Sequence, residues 1–204
     1  MSLPWFRYLL VFLVSWTVTA AAYAQDLFPD KNLDAAVRQY VFEKRNNDKP
    51  LTVQDVENIS TIVAKGKKIT NLAGLDKCRS LALLDLADNQ IADLAPLKDL
   101  ASIQSLNLAK NKVVDIKPLA GLTALQYLHL ADNQVADLTP VSKLANLRSL
   151  YLSNNQLKDL APINGLTKLW SLYADGNQLA NITPVAKLTN LSSLDLRNNQ
   201  VADL

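Results

Sequence analysis

A 22-residue beat of leucine, asparagine and proline runs through most of this chain and leaves few folds open to it. Leu84, Leu106, Leu128, Leu150, Leu172 and Leu194 keep step. So do Asn89, Asn111, Asn133, Asn155, Asn177 and Asn199, and so do Pro96, Pro118, Pro140, Pro162 and Pro184. Each unit reads L-x-x-L-x-L-x-x-N-x-Φ-x-D-Φ-x-P-Φ-x-x-L-x-x, with Φ aliphatic. A fixed period of this length marks a stacked array, because a single unit cannot bury its apolar face without neighbours on both sides.

The unit predicts its own conformation. Leu84-Asp85-Leu86 alternates inward and outward, so each coil contributes a short strand, and successive strands stack into a parallel sheet. After the strand the chain turns inside the stack, where backbone amides lack ladder partners. The asparagine carries two donors and an acceptor and is expected to satisfy them, coil after coil. The proline has no N–H and suits the side away from the sheet. The spacing is too short for a full helix there, so 3-10 or irregular turns are expected. Asp93, Asp115, Asp137, Asp159 and Asp203, with Asn181 in the same column, are expected to accept backbone N–H groups in the turn before each proline.

The two ends of the sequence depart from the repeat. Arg7, the apolar run from Tyr8 to Val18 and the small-x-small triplet Ala22-Tyr23-Ala24 predict a secretory signal over residues 1–24, cleaved before Gln25. The run is short for a membrane span. No stable span is expected after cleavage, and no Cys lies near the cut to carry a lipid. Residues 25–58 predict a helical cap: Asp30 as N-cap, a helix over Lys31 to Lys44 with Leu33, Ala36, Val37, Tyr40 and Val41 on one face, then a second helix after Thr52. Thr52 and Asp55 have capping-box spacing. Residues 59–204 are the array: one degenerate coil, five full repeats and a last unit that breaks off at Leu204. In the degenerate coil Lys67 replaces the asparagine and Gly74 the proline.

Composition narrows the functions. Lys and Arg number 21 against 19 Asp and Glu, a formal charge of +2, so nothing favours nucleic acid as a partner. The single Cys, Cys78, sits at a core position, and the single His, His129, lies more than two coils away. No nucleophile–base pair, phosphate-binding loop or metal cluster is legible, so no catalytic residue and no cofactor is expected.

The repeat unit, and the segments Leu27-Phe28-Pro29-Asp30-Lys31-Asn32-Leu33 and Leu51-Thr52-Val53-Gln54-Asp55-Val56 ahead of it, resemble the leucine-rich repeats and helical cap of bacterial internalins. The resemblance covers nearly all the chain after residue 24. It implies an α/β repeat solenoid: a right-handed superhelix with a parallel concave sheet, an irregular convex side and a small helical N-terminal cap. It also implies that the concave sheet binds another protein, while the signal segment predicts a secreted, periplasmic or cell-surface location. The cap segment lacks an EF-hand-type calcium loop, and no metal is expected there.

The outward columns of the sheet predict where a partner binds. One column runs Leu83, Ser105, Tyr127, Ser149, Ser171, Ser193; the next runs Asp85, Asn107, His129, Tyr151, Tyr173, Asp195. Tyr127, His129, Tyr151 and Tyr173 gather mid-sheet, with Trp170 expected to border them and Asp195 and Arg197 to flank them. Tyr and Trp join a large apolar face to a polar handle and are enriched in binding hot spots. Strands also favour outward tyrosines for packing alone. Two other readings stay open from sequence: a targeting module for a catalytic domain beyond Leu204, and self-association through an uncapped C-terminal edge. Ala174 replaces the leucine found at this position in other coils, which predicts a small void or Trp170 filling it.

Overall fold

The computed structural model describes residues 26–202; the leader expected over residues 1–24, and Asp203 and Leu204, lie outside them. Seven three-residue strands form one parallel sheet in chain order: β1 (Thr61–Val63), β2 (Leu83–Asp85), β3 (Ser105–Asn107), β4 (Tyr127–His129), β5 (Ser149–Tyr151), β6 (Ser171–Tyr173) and β7 (Ser193–Asp195). Each strand pairs with the next in a register of one period, Leu84 opposite Leu106 and Leu106 opposite Leu128. The inward leucines from Leu84 to Leu172 are buried in one continuous core. Short 3-10 turns form the opposite side, among them Ala95–Leu97, Lys117–Gly121 and Thr139–Lys143, with proline at their starts. There proline's fixed φ is compatible and its missing N–H leaves nothing unpaired.

The asparagine column lies inside the stack, 8–9% exposed from Asn89 to Asn177. Asn111 shows the pattern. Its Nδ2 donates to the carbonyls of Leu86 (2.9 Å), Leu108 (3.0 Å) and Ala109 (3.2 Å), and its Oδ1 accepts from Ile91 N–H (3.0 Å). Each asparagine thus ties its own coil to the one before, and Asn199 repeats the arrangement onto Leu179 and Ala174. The residue ahead of it takes a left-handed conformation: Asp88, Lys110, Asp132, Asn154 and Asn198 have φ of 55–58°, and Gly176 has φ 66°. Asp, Asn and Gly are the types that tolerate this region best. Before each proline, Asp93, Asp115, Asp137 and Asp159 accept the backbone N–H two residues on at 2.8 Å, and Asn181 does so at 2.9 Å.

The first coil is covered by α1 (Lys31–Arg38), α2 (Val53–Val56) and the turns between them. Phe28, Leu33, Val37 and Val56 are fully buried against it. Asp30 joins the two parts. Its Oδ1 accepts from Asn32 and Leu33 N–H at the start of α1, and its Oδ2 from Thr70 N–H, Thr70 hydroxyl and Asn71 N–H in the coil. Gly74 (φ 97°) explains the missing proline: a Cβ there would collide with the Leu27 carbonyl oxygen and the Phe28 ring. In α2, the Asp55 carboxylate accepts from the Thr52 N–H and hydroxyl, both at 2.6 Å.

α1 is shorter than its periodicity predicts, ending at Arg38 rather than Lys44. The Arg38 guanidinium holds Asp34 Oδ1 at 2.8 and 2.9 Å and donates to the carbonyls of Asn47 (3.1 Å) and Lys49 (2.8 Å). Its side chain is 15% exposed, so these donors need protein acceptors, and turns wound around it supply carbonyls that a continuing helix would keep for itself. Tyr40, freed from the helix, accepts the Val63 N–H on its hydroxyl and closes off that edge group of the sheet. Trp170 does not fill the space left by Ala174, since it is 60% exposed while Ala174 is fully buried.

Candidate functional site

The side chains that leave the sheet outward do so because strand geometry alternates around the buried leucines. Tyr127 and His129 come from β4, Tyr151 from β5 and Tyr173 from β6. Register sets His129, Tyr151 and Tyr173 side by side, with Tyr127 diagonal to Tyr151. All four rings are half-buried. Tyr151 and Tyr173 stack with centroids 5.0 Å apart and planes 5° from parallel. Tyr127 lies 5.4 Å from Tyr151, and His129 lies 4.8 Å from Tyr151. The Tyr127 hydroxyl is 3.3 Å from His129 Nδ1. Ser149, Ser171 and Ser193 stand in the neighbouring column and leave the ring edges open.

The electrostatics around the rings follow from burial and from acidic neighbours. Burial, then Tyr151 and Asp85, push the Tyr127 hydroxyl above its ordinary value. Burial holds the His129 imidazole below 6.5, although Asp132 and Asp85 draw it upward. His129 is therefore neutral at pH 7 and stacks as an uncharged ring. The hydroxyl of Ser153 bonds Asp175 beside the stack. At the far end Arg197 grips Asp195 through Nε–Oδ1 (2.9 Å) and Nη2–Oδ2 (2.6 Å), which lowers the carboxyl and raises the guanidinium. Asp195 lies beside Tyr173 in the register, so this pair flanks the rings as a neutral unit.

Trp170 is not brought into the stack. It precedes β6 and lines a separate cleft with Arg148, Ser149, Lys168 and Asn190. Register alone signals part of this grouping, because Arg148 precedes Trp170 by one 22-residue period. Cys78 is buried, and burial together with Asp76 pushes its thiol up to about 12, so it is inert as a nucleophile at neutral pH. Among the described residues no group of His, Cys, Asp or Glu is arranged to hold a metal ion, and no helix is long and apolar enough to cross a membrane.

Family models match the array in three stretches: "Leucine Rich repeats (2 copies)" over residues 101–143, and "Leucine Rich Repeat" models over residues 146–166 and 187–204. A search of the curated proteins finds no match. Among solved structures, internalin C2 of Listeria monocytogenes is 36% identical with a TM-score of 0.69, over 87% of this chain and 88% of that one. The chain belongs to the internalin family. The Listeria monocytogenes internalin inlF is similar as well, at 30% identity and a TM-score of 0.73; 87% of this internalin matches it, spanning 59% of its length. The fold alone extends to a plant peptide hormone receptor, RGFR1, solved in complex with RGF2, at 24% identity and a TM-score of 0.53 over 62% of this chain. A leucine-rich-repeat solenoid of this kind is a scaffold that commonly mediates protein–protein contacts.

Proposed function

We propose that this internalin is an exported recognition module that binds a protein partner across the concave face of its sheet. Tyr127, His129, Tyr151 and Tyr173 form the anchor, and Asp195 and Arg197 form its rim. The observation that carries this reading is the continuous stack of four half-buried rings on a rigid sheet, edged by small serines. Rings already packed on one another lose little freedom when a partner covers them, and aromatic clusters of this sort dominate binding energy. Export rests on the leader pattern of residues 1–24.

The test is truncation of single rings. Tyr151→Ala or Tyr173→Ala is expected to weaken binding of the captured partner by about 2 kcal/mol in calorimetric titration. Neither ring supports the core, so thermal melting should change little. Unchanged affinity in both variants rejects the tyrosine face as the binding surface.

A further inference from the structure

Trp170 raises a question that the tyrosine stack does not answer. An indole is the largest apolar side chain a protein has, yet this one is 60% exposed. Its backbone is nonetheless fixed on both sides: Trp170 N–H donates to the Arg148 carbonyl (2.7 Å), and its own carbonyl accepts from Ser192 N–H (2.8 Å) and Ser193 N–H (3.1 Å). In the next coil the same register position is Ser192, too small to cover a ring. The indole is therefore an open plate on a rigid mount.

The plate forms one wall of a cleft of about 500 Å³ whose other lining residues are polar or cationic: Arg148, Ser149, Lys168 and Asn190. Lys168 Nζ donates to Asn146 Oδ1 (2.8 Å), which steadies the ammonium. Asn190 Nδ2 donates to the Thr167 carbonyl (2.7 Å), which leaves the amide oxygen for a ligand. Among the described residues, neither Arg148 nor Lys168 belongs to an ion pair. The charge is placed, not scattered. In the six coils from Leu81 onward, the two positions flanking the coil-start leucine or isoleucine hold no acidic residue, and their only basic ones are Arg148 and Lys168.

We propose that this cleft binds an acidic saccharide, a uronate-bearing glycan. The indole packs against the C–H face of a pyranose ring, and the Arg148 fork, with Lys168 beside it, takes the carboxylate. Ser149 and Asn190 meet ring hydroxyls. The chemistry of the cleft selects this class. Single-stranded nucleic acid uses successive aromatic plates along a cationic track, and this cleft has one ring and two cations. An apolar peptide anchor favours a closed socket, whereas this cleft is open and polar-walled and suits a ligand that keeps one side in water. Trp170 belongs to none of the ring pairs of the tyrosine anchor, and Ser149 is the residue at which the cleft and that anchor meet.

The full chain is titrated with a tetrasaccharide of alternating glucuronate and N-acetylglucosamine while the Trp170 indole N–H is followed by NMR, assigned by its loss in Trp170→Phe. A saturable shift is expected. Arg148→Gln or Lys168→Gln should weaken it by about tenfold through loss of a charge-assisted contact, and Trp170→Ala should abolish heat in calorimetry. Tyr151→Ala should leave it unchanged, which separates this site from the protein-binding face. Neutral chitotetraose should bind about tenfold more weakly, for want of the carboxylate. The proposal is overturned by the absence of a saturable shift, by an equal response to tetraglutamate or inorganic sulfate, or by indifference to both cation substitutions while the rest of the spectrum is unchanged.

Discussion

Asn111 makes three donor contacts and one acceptor contact to backbone atoms that face no water. Losing such a side chain exposes no group to solvent; it strands several inside. Asn111→Ala is therefore expected to cost about 1–3 kcal/mol, read as a lowered urea midpoint with an unchanged slope. His129 gives the residue scale a pH dependence. The unfolded imidazole takes its proton near 6.5, and burial holds the folded one below that. The unfolded state thus binds more protons in this window, so stability falls as pH drops through 6.5 and levels off beneath the folded value. Melting followed from pH 8 to pH 5 should show this decline, and His129→Gln should remove it.

At the scale of the element, one carboxylate ties the cap to the array beside the apolar side chains that pack across the junction. Burial alone would raise the pKa of Asp30, but hydrogen bonds from Thr70, Asn71 and Leu33 outweigh it and hold the carboxyl below 3.8. A depressed carboxylate contributes stability that is complete above the unfolded value of 3.8 and is lost as pH falls through the lower folded value. Acid should thus loosen the cap, and Asp30→Asn should flatten that acid limb while lowering stability at pH 7 by about 1 kcal/mol. Circular dichroism melts at pH 7 and pH 3 check both parts. The cap helix itself shows where local pattern stops being decisive. The apolar face over Leu33 to Val41 is helical in period, yet the helix ends at Arg38, whose part-buried guanidinium takes carbonyls that the following turns supply.

Across the whole molecule, stacked coils touch only their neighbours, so damage at one end should stay local. Gly74→Ala forces a side chain into the Leu27 carbonyl at a positive φ, and is expected to cost more than about 2 kcal/mol at the cap. Hydrogen exchange should then rise over residues 26–80 while amides around β4 and β5 keep their protection. Equal loss along the full array would show that the coils unfold as one cooperative unit.

Periodicity made most of this architecture legible. The strands, their register, the buried asparagine column and the turns at each proline repeat because the same residues recur under the same local constraints, and one coil's physics holds for the next. The columns that bring Tyr127, His129, Tyr151 and Tyr173 together were legible for the same reason, since a fixed period turns sequence spacing into spatial adjacency. What departs from the period was decided by tertiary structure alone. The need for glycine at position 74 and the two-sided grip of Asp30 each arise where segments distant in sequence meet once and never again, and α1 ends at Arg38 through turns found at one place in the chain. A contact made only once leaves no repeat in the sequence from which to read it.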